Sequence, residues 1–191
     1  MKKVQLDIGF GQLLLGIDRE KAEKMRLQGC QVCGGPLYYS NYPRKPRADF
    51  DWIVAHWTMR YSLCCGREGC RTRHTPESVR FLGRKVYIGA YLVLIAAMMC
   101  GVNGRRAGQL HRELGLDPRT LNRWRRWWLE HFPSTPFWRW ERSRFMPKIE
   151  ERDLPGSLLQ ALGGSCHRGL LAMLEFLAPI TTRQVGQGLV M

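Results

Sequence analysis

Acidic residues are scarce in this chain. Over 191 residues, 16 Asp and Glu stand against 30 Lys and Arg, a formal net charge of +14 with a pI of about 10.0. An excess of that size repels itself and calls for a polyanionic partner, nucleic acid first and an anionic membrane second. The bland alternative is a solvated basic surface.

A secretory signal is also lacking. "MKKVQLDIGFGQLLLGIDREK" starts basic, but its apolar run is interrupted by Asp7, by glycines and by Gln12. The expected location is therefore cytoplasmic, in association with the nucleoid. There, clustered cysteines serve as metal ligands more often than as disulfides. Long apolar runs are few. "VYIGAYLVLIAAMMCGV", residues 86–102, is uncharged over 17 residues, short of the roughly 20 that a membrane-spanning helix needs. It is expected to be a buried helix, and no membrane partner is expected. No internal repeat is present. Catalytic groupings are equally thin: His111 with Glu113, or Cys166 with His167, lack a base, a nucleophile and an orienting partner at a working spacing, so no enzyme is expected.

What the chain does have begins with strong helix formers over 18–28, with Asp18 as candidate N-cap and Gly29 as the stop. Seven cysteines follow in the chain, five of them in two groups. Cys30-x2-Cys33 runs into Gly34-Gly35, where a tight turn puts both sulfurs on one side. "CCGREGC" then offers Cys65-x4-Cys70. Two such pairs on two hairpins can complete the tetrahedral thiolate shell of a structural Zn²⁺. Cys64 competes for the third position; Cys65 is favoured because it shares a strand face with Tyr61 and Leu63. Disulfides and unligated or redox cysteines are the alternatives. His56 and His74 read as surface or packing residues rather than substitute ligands, and Cys100 and Cys166 as small core residues.

Residues 104–131 read as helix, turn, helix. Ala107, Leu110 and Leu114 form one apolar stripe. Gly115 ends that helix, Leu116 plugs the turn, and Asp117-Pro118 is a cap followed by a first-turn proline. The second helix sets Leu121, Trp124 and Trp128 on one face, with Arg119, Asn122, Arg123 and Arg126 gathered opposite. That pattern suits a recognition helix in a DNA major groove, where Arg pairs with guanine and Asn with adenine. The helix at 86–100 then becomes the first of three. Trp127, Trp138 and Trp140 alternate with arginines; such residues can stack on unpaired bases, but core or protein-contact roles are the expectation.

Taken together, "CQVCGG", "YSLCCGREGCRTRHTP", "GRKVYIGAYLVLIAAM" and "LGLDPRTLNRWRRWW" resemble the zinc-ribbon plus helix-turn-helix region of bacterial insertion-sequence transposases and their small accessory DNA-binding proteins. The resemblance covers roughly residues 25–132. It implies Cys30, Cys33, Cys65 and Cys70 as ligands of a structural Zn²⁺ and the 118–131 helix as the DNA reader. The basic strand and Thr-Pro turn after the last ligand are matched by Arg71, Arg73, Thr75 and Pro76. The chain departs from the transposases after the helices. About 60 residues remain, and 153–191 contain only Asp153 and Glu175 as acids, too few for their carboxylate-based catalytic domain.

The expected fold is mainly α with a small β zinc ribbon. Its segments are an N-terminal helical segment (1–28), the ribbon (29–83), a trihelical helix-turn-helix (84–132) and short C-terminal helices with a tail (133–191). DNA contacts are expected from Arg105, Arg106, Arg119, Thr120, Asn122, Arg123, Arg126, Arg71 and Arg73. The expected role is sequence-specific binding of double-stranded DNA as an accessory or targeting subunit. A transposase, recombinase or ATPase, or a second copy of the chain, would be its protein partner. A transcriptional repressor and a docking scaffold are the alternatives. Leu158, Leu159, Leu162, Leu170, Leu171, Leu174 and Leu177 exceed what two short helices can bury between themselves. They point to a protein partner, with packing back onto the trihelical unit as the other outcome.

Overall fold

The computed structural model describes residues 7–44, 55–82 and 117–182. Among them the chain is mixed α and β, with five α-helices and two small antiparallel sheets. It divides into two compact units, one formed by 5–86 with 175–190 and the other chiefly by 87–174. The apolar stretch 86–102 and the first helix of the expected helix-turn-helix lie outside the described residues. No helix among the described residues is long and apolar enough to cross a membrane.

Helix α1 (Ile8–Gln28) starts ten residues before the expected point. Its cap is Asp7, whose carboxylate accepts the Phe10 N–H at 2.8 Å, and Gly29 ends it as expected. One of the glycines that had counted as interruptions, Gly11, has a packing reason. A Cβ on Gly11 would lie 0.8 Å from Cη2 of Trp57, so only glycine lets that indole lie against the helix. Phe10, Leu14, Asp18 and Ala22 form the buried stripe.

Asp18 is therefore no cap. It is fully buried and accepts hydrogen bonds from Ser78 Oγ at 2.6 Å, Val79 N–H at 2.7 Å and Arg80 Nε at 2.8 Å. Arg80, equally buried, donates its remaining nitrogens to the carbonyls of Trp57 and Met59, each at 2.8 Å. A buried ion pair is tolerable only when its polar atoms are satisfied in this way. The pair ties α1 to the segment that leaves the cysteine-bearing sheet.

That sheet has the order β1-β4-β5, from β1 (Leu37–Tyr39), β4 (Leu63–Cys65) and β5 (Arg73–His74). A separate pair joins β2 (Tyr42–Pro43) to β3 (Met59–Arg60). The register sets Leu37 opposite Cys65 and Tyr38 opposite Cys64, with Arg73 opposite Cys64 on the far side. Because successive side chains alternate, Leu37, Leu63 and Cys65 go inward and are buried, whereas Tyr38, Cys64 and Arg73 share the outer face.

In the second unit, α2 (Pro118–Arg126) begins as its sequence indicates, with Asp117 accepting the Arg119 N–H at 2.7 Å. The helix does not run unchanged to 131. Trp127–His131 widen into a π turn closed by a bond from the Phe132 N–H to the Trp127 carbonyl. This five-residue step sets Phe132 under Trp127, with ring centroids 5.4 Å apart. Trp128, Phe132 and Trp138 continue the stack at 4.9 and 5.1 Å, contacts worth roughly 0.5–1.5 kcal/mol each beyond burial. Helices α3 (Pro136–Glu141), α4 (Gly156–Ala161) and α5 (His167–Leu177) follow.

Leu158, Leu159, Leu170, Leu174 and Leu177 are buried within the chain itself, and Leu162 and Leu171 are half-buried. The excess apolar surface that had pointed to a protein partner is thus covered internally. After α5, Ala178–Thr181 form a short 3-10 turn in the first unit, where Thr181 Oγ1 accepts the Ser78 N–H at 2.8 Å.

Candidate metal centre

Two loops bring four cysteines together. The first leaves α1 and turns sharply, with Gly34 N–H bonding to the Cys30 carbonyl at 2.7 Å and Cys30 N–H to the Gly35 carbonyl at 2.8 Å. Gly35 sits against the sulfurs; a Cβ there would lie 3.2 Å from Cys65 Sγ and 3.3 Å from Cys33 Sγ. The second loop leaves β4 at Cys65 and turns through 67–70, closed by Cys70 N–H on the Arg67 carbonyl at 3.2 Å. Gly66 N–H on the Pro36 carbonyl, at 2.9 Å, stitches one loop to the other.

The ligand atoms of Cys30, Cys33, Cys65 and Cys70 all lie within 4.8 Å of one another. The Cys33–Cys65 and Cys30–Cys70 sulfur distances are 3.4 and 3.7 Å, too long for a disulfide of about 2.05 Å. A tetrahedral Zn²⁺ with sulfurs at about 2.3 Å sets them about 3.8 Å apart. The donor set therefore fits such an ion, and four thiolates would fill its shell. Cys30 and Cys65 are buried, Cys33 and Cys70 half-buried. Cys64 Sγ instead turns to the Arg71 carbonyl at 3.4 Å, because it occupies the outer face of β4.

The surroundings treat the sulfurs unequally. Burial pushes the Cys65 thiol up to about 12, while the hydroxyl and backbone N–H of Thr72 pull Cys70 down to about 6. Arg67 N–H points at Cys65 Sγ from 3.4 Å. His74 Nε2 stands 3.2 Å from Cys30 Sγ. It is no surface histidine, and it stands behind one ligand rather than replacing any. Its position opposite Leu63, on the inward face of the sheet, is what strand pairing reveals and composition does not.

Of the residues expected at DNA, Arg119, Asn122, Arg123 and Arg126 are exposed on α2 and Thr120 is half-buried, while Leu121, Trp124 and Trp128 are buried. Arg126 lies 3.7 Å from Glu130. Arg105 and Arg106 lie outside the described residues. Arg71 is exposed, at a φ of 46°. Arg73 is a latch, donating to the Ser40 carbonyl at 3.2 Å, Ser40 Oγ at 3.1 Å and Ser62 Oγ at 3.2 Å. Trp127 and Trp138 are core, whereas Trp140 is 78% exposed.

No protein-family model, curated protein or solved structure matches this chain.

Proposed function

We propose that this protein binds double-stranded DNA through α2 and that a structural Zn²⁺ at Cys30, Cys33, Cys65 and Cys70 holds a zinc ribbon in the other unit. In this reading α2 is the second helix of a helix-turn-helix, and the protein is an accessory or targeting subunit of a bacterial mobile element. A separate catalytic subunit performs the strand chemistry. The observation that carries the reading is the one-sidedness of α2. Arg119, Asn122, Arg123 and Arg126 are exposed along it while its Leu and Trp residues are buried, in a chain of net charge +14.

The division of labour follows from side-chain chemistry. In this reading Arg123 is the bidentate donor to guanine and Asn122 the donor and acceptor to adenine. Arg119 and Arg126 neutralise phosphates and release counterions. The zinc supplies a cross-link between two loops and, in small modules of this kind, on the order of 10 kcal/mol of folding free energy. It takes no part in base recognition.

Fluorescence anisotropy with duplexes from the element ends tests this. Affinity is expected to fall linearly with salt on a logarithmic plot, with a slope of about −0.9 per neutralised phosphate. Asn122→Ala and Arg123→Ala should relax sequence preference by about 1–3 kcal/mol, and Arg126→Ala should weaken all sites alike. A joint alanine replacement of 119, 122, 123 and 126 that binds as tightly as the parent refutes α2 as the reader. Preference for a promoter fragment over element ends would make the protein a repressor.

A further inference from the structure

The four sulfurs are not equally protected. Cys30 Sγ has His74 Nε2 at 3.2 Å, Cys65 Sγ has the Arg67 N–H at 3.4 Å, and Cys70 Sγ has Thr72 Oγ1 at 3.3 Å. Among the described residues, Cys33 Sγ meets no N–H or O–H donor; its polar neighbours are the other sulfurs, with Cys65 Sγ at 3.4 Å. Donors drain charge from a thiolate and lower its nucleophilicity. Cys33 is half-buried and, like the equally half-buried Cys70, lines an open depression with Val32, Arg67, Glu68, Gly69 and Thr72, so the two sulfurs differ in their hydrogen bonds rather than in access. Arg67 is anchored there by Nη1 donating to the Cys33 carbonyl at 3.1 Å.

From this asymmetry we infer that Cys33 is the oxidation site of the cluster, the sulfur that a peroxide reaches first, and that its oxidation opens the metal centre. The inference rests on the metal-bound reading above. In the first step the Cys33 thiolate attacks one peroxide oxygen and the O–O bond breaks. The departing hydroxide takes up a proton as water, and the sulfur, oxidised by two electrons, becomes a sulfenate. In the second, that group gains a proton and the Cys65 thiolate attacks its sulfur. The S–S bond forms, the S–O bond breaks and hydroxide leaves. Two thiolates are consumed, and the zinc keeps only two ligands.

The experiment uses the full-length zinc-loaded protein with substoichiometric hydrogen peroxide. Peptide mass spectrometry reads each ligand cysteine separately from Cys64, Cys100 and Cys166, and a chromophoric chelator reads released zinc. Cys33 should be modified about tenfold faster than Cys70, which is equally half-buried but hydrogen-bonded, and zinc release should track Cys33. Thr72→Val keeps shape and removes the hydroxyl, so it should raise Cys70 towards the rate of Cys33, a change set by one hydrogen bond to a charged acceptor. Zinc-loaded protein in which Cys70, Cys30 or Cys65 reacts first overturns the inference alone. An unchanged rate ratio in the valine variant overturns its hydrogen-bond basis. A purified chain holding no zinc overturns the metal reading and the inference with it.

Discussion

Two glycines in α1 should respond in opposite directions to the same substitution. Gly16 is exposed and a Cβ there meets nothing within 4 Å, whereas a Cβ on Gly11 would lie 0.8, 1.7 and 2.1 Å from three Trp57 ring atoms. In a helix interior, alanine is better than glycine by about 1 kcal/mol, through backbone entropy lost on folding. Gly16→Ala should therefore stabilise the first unit by up to about 1 kcal/mol. Gly11→Ala gains the same propensity but must displace an indole that is only 5% exposed. Overpacking typically costs about 1–3 kcal/mol, and an overlap this deep belongs at or beyond the upper end. The two variants should differ by about 2–4 kcal/mol, with opposite signs about the parent. Denaturant unfolding at a fixed zinc concentration measures this, the fixed concentration being needed because bound metal adds to apparent stability. A Gly11→Ala protein as stable as Gly16→Ala would refute the close approach of Trp57 to α1.

Other expectations follow from the same geometry. Cys65→Ser should lose the metal and the fold of the cysteine-bearing sheet, while Cys64→Ser should keep about one zinc per chain by elemental analysis, since Cys64 Sγ points to the Arg71 carbonyl. Arg80→Met leaves the Asp18 carboxylate buried with one fewer donor and should cost about 3–5 kcal/mol; adding Asp18→Leu should recover part of that loss in the same unfolding assay. Glu151 is held below its usual value of 4.5 by the Trp138 indole N–H and then by Arg142. Because the folded-state value is depressed, Glu151 adds stability that is present above about pH 4.5 and lost as pH falls through the lower folded value. The unfolding midpoint of Glu151→Gln should therefore lie below the parent at neutral pH and converge with it in acid; a gap independent of pH would sink the assignment.

The clustering of Cys30, Cys33, Cys65 and Cys70, with Cys64 left out, was legible because it depends on local facts. Cys30 and Cys33 share one turn, and the alternation of Leu63, Cys64 and Cys65 sends the middle residue to the other face whatever the strand pairs with. The start of α2 was legible for the same reason. Asp117 and Pro118 act on N–H groups within three positions along the chain, so the cap needs no tertiary partner. The start of α1 and the role of Asp18 were misjudged because nothing nearby shows that Gly11 makes room for an indole, or distinguishes a capping aspartate from a buried anchor. Their partners, Trp57 and Ser78 to Arg80, are distant in sequence, Ser78 by 60 positions, and only folding brings them close. The C-terminal leucines carry the same limit. Their number set how much apolar surface had to be covered, but which surface covers it is a property of packing, and here the chain covers it itself. The His74 ring was ambiguous along the chain and became a neighbour of Cys30 only once β5 paired with β4. Hydrogen-bond partners between strands are set by register, and register is decided by the whole sheet rather than by any one strand.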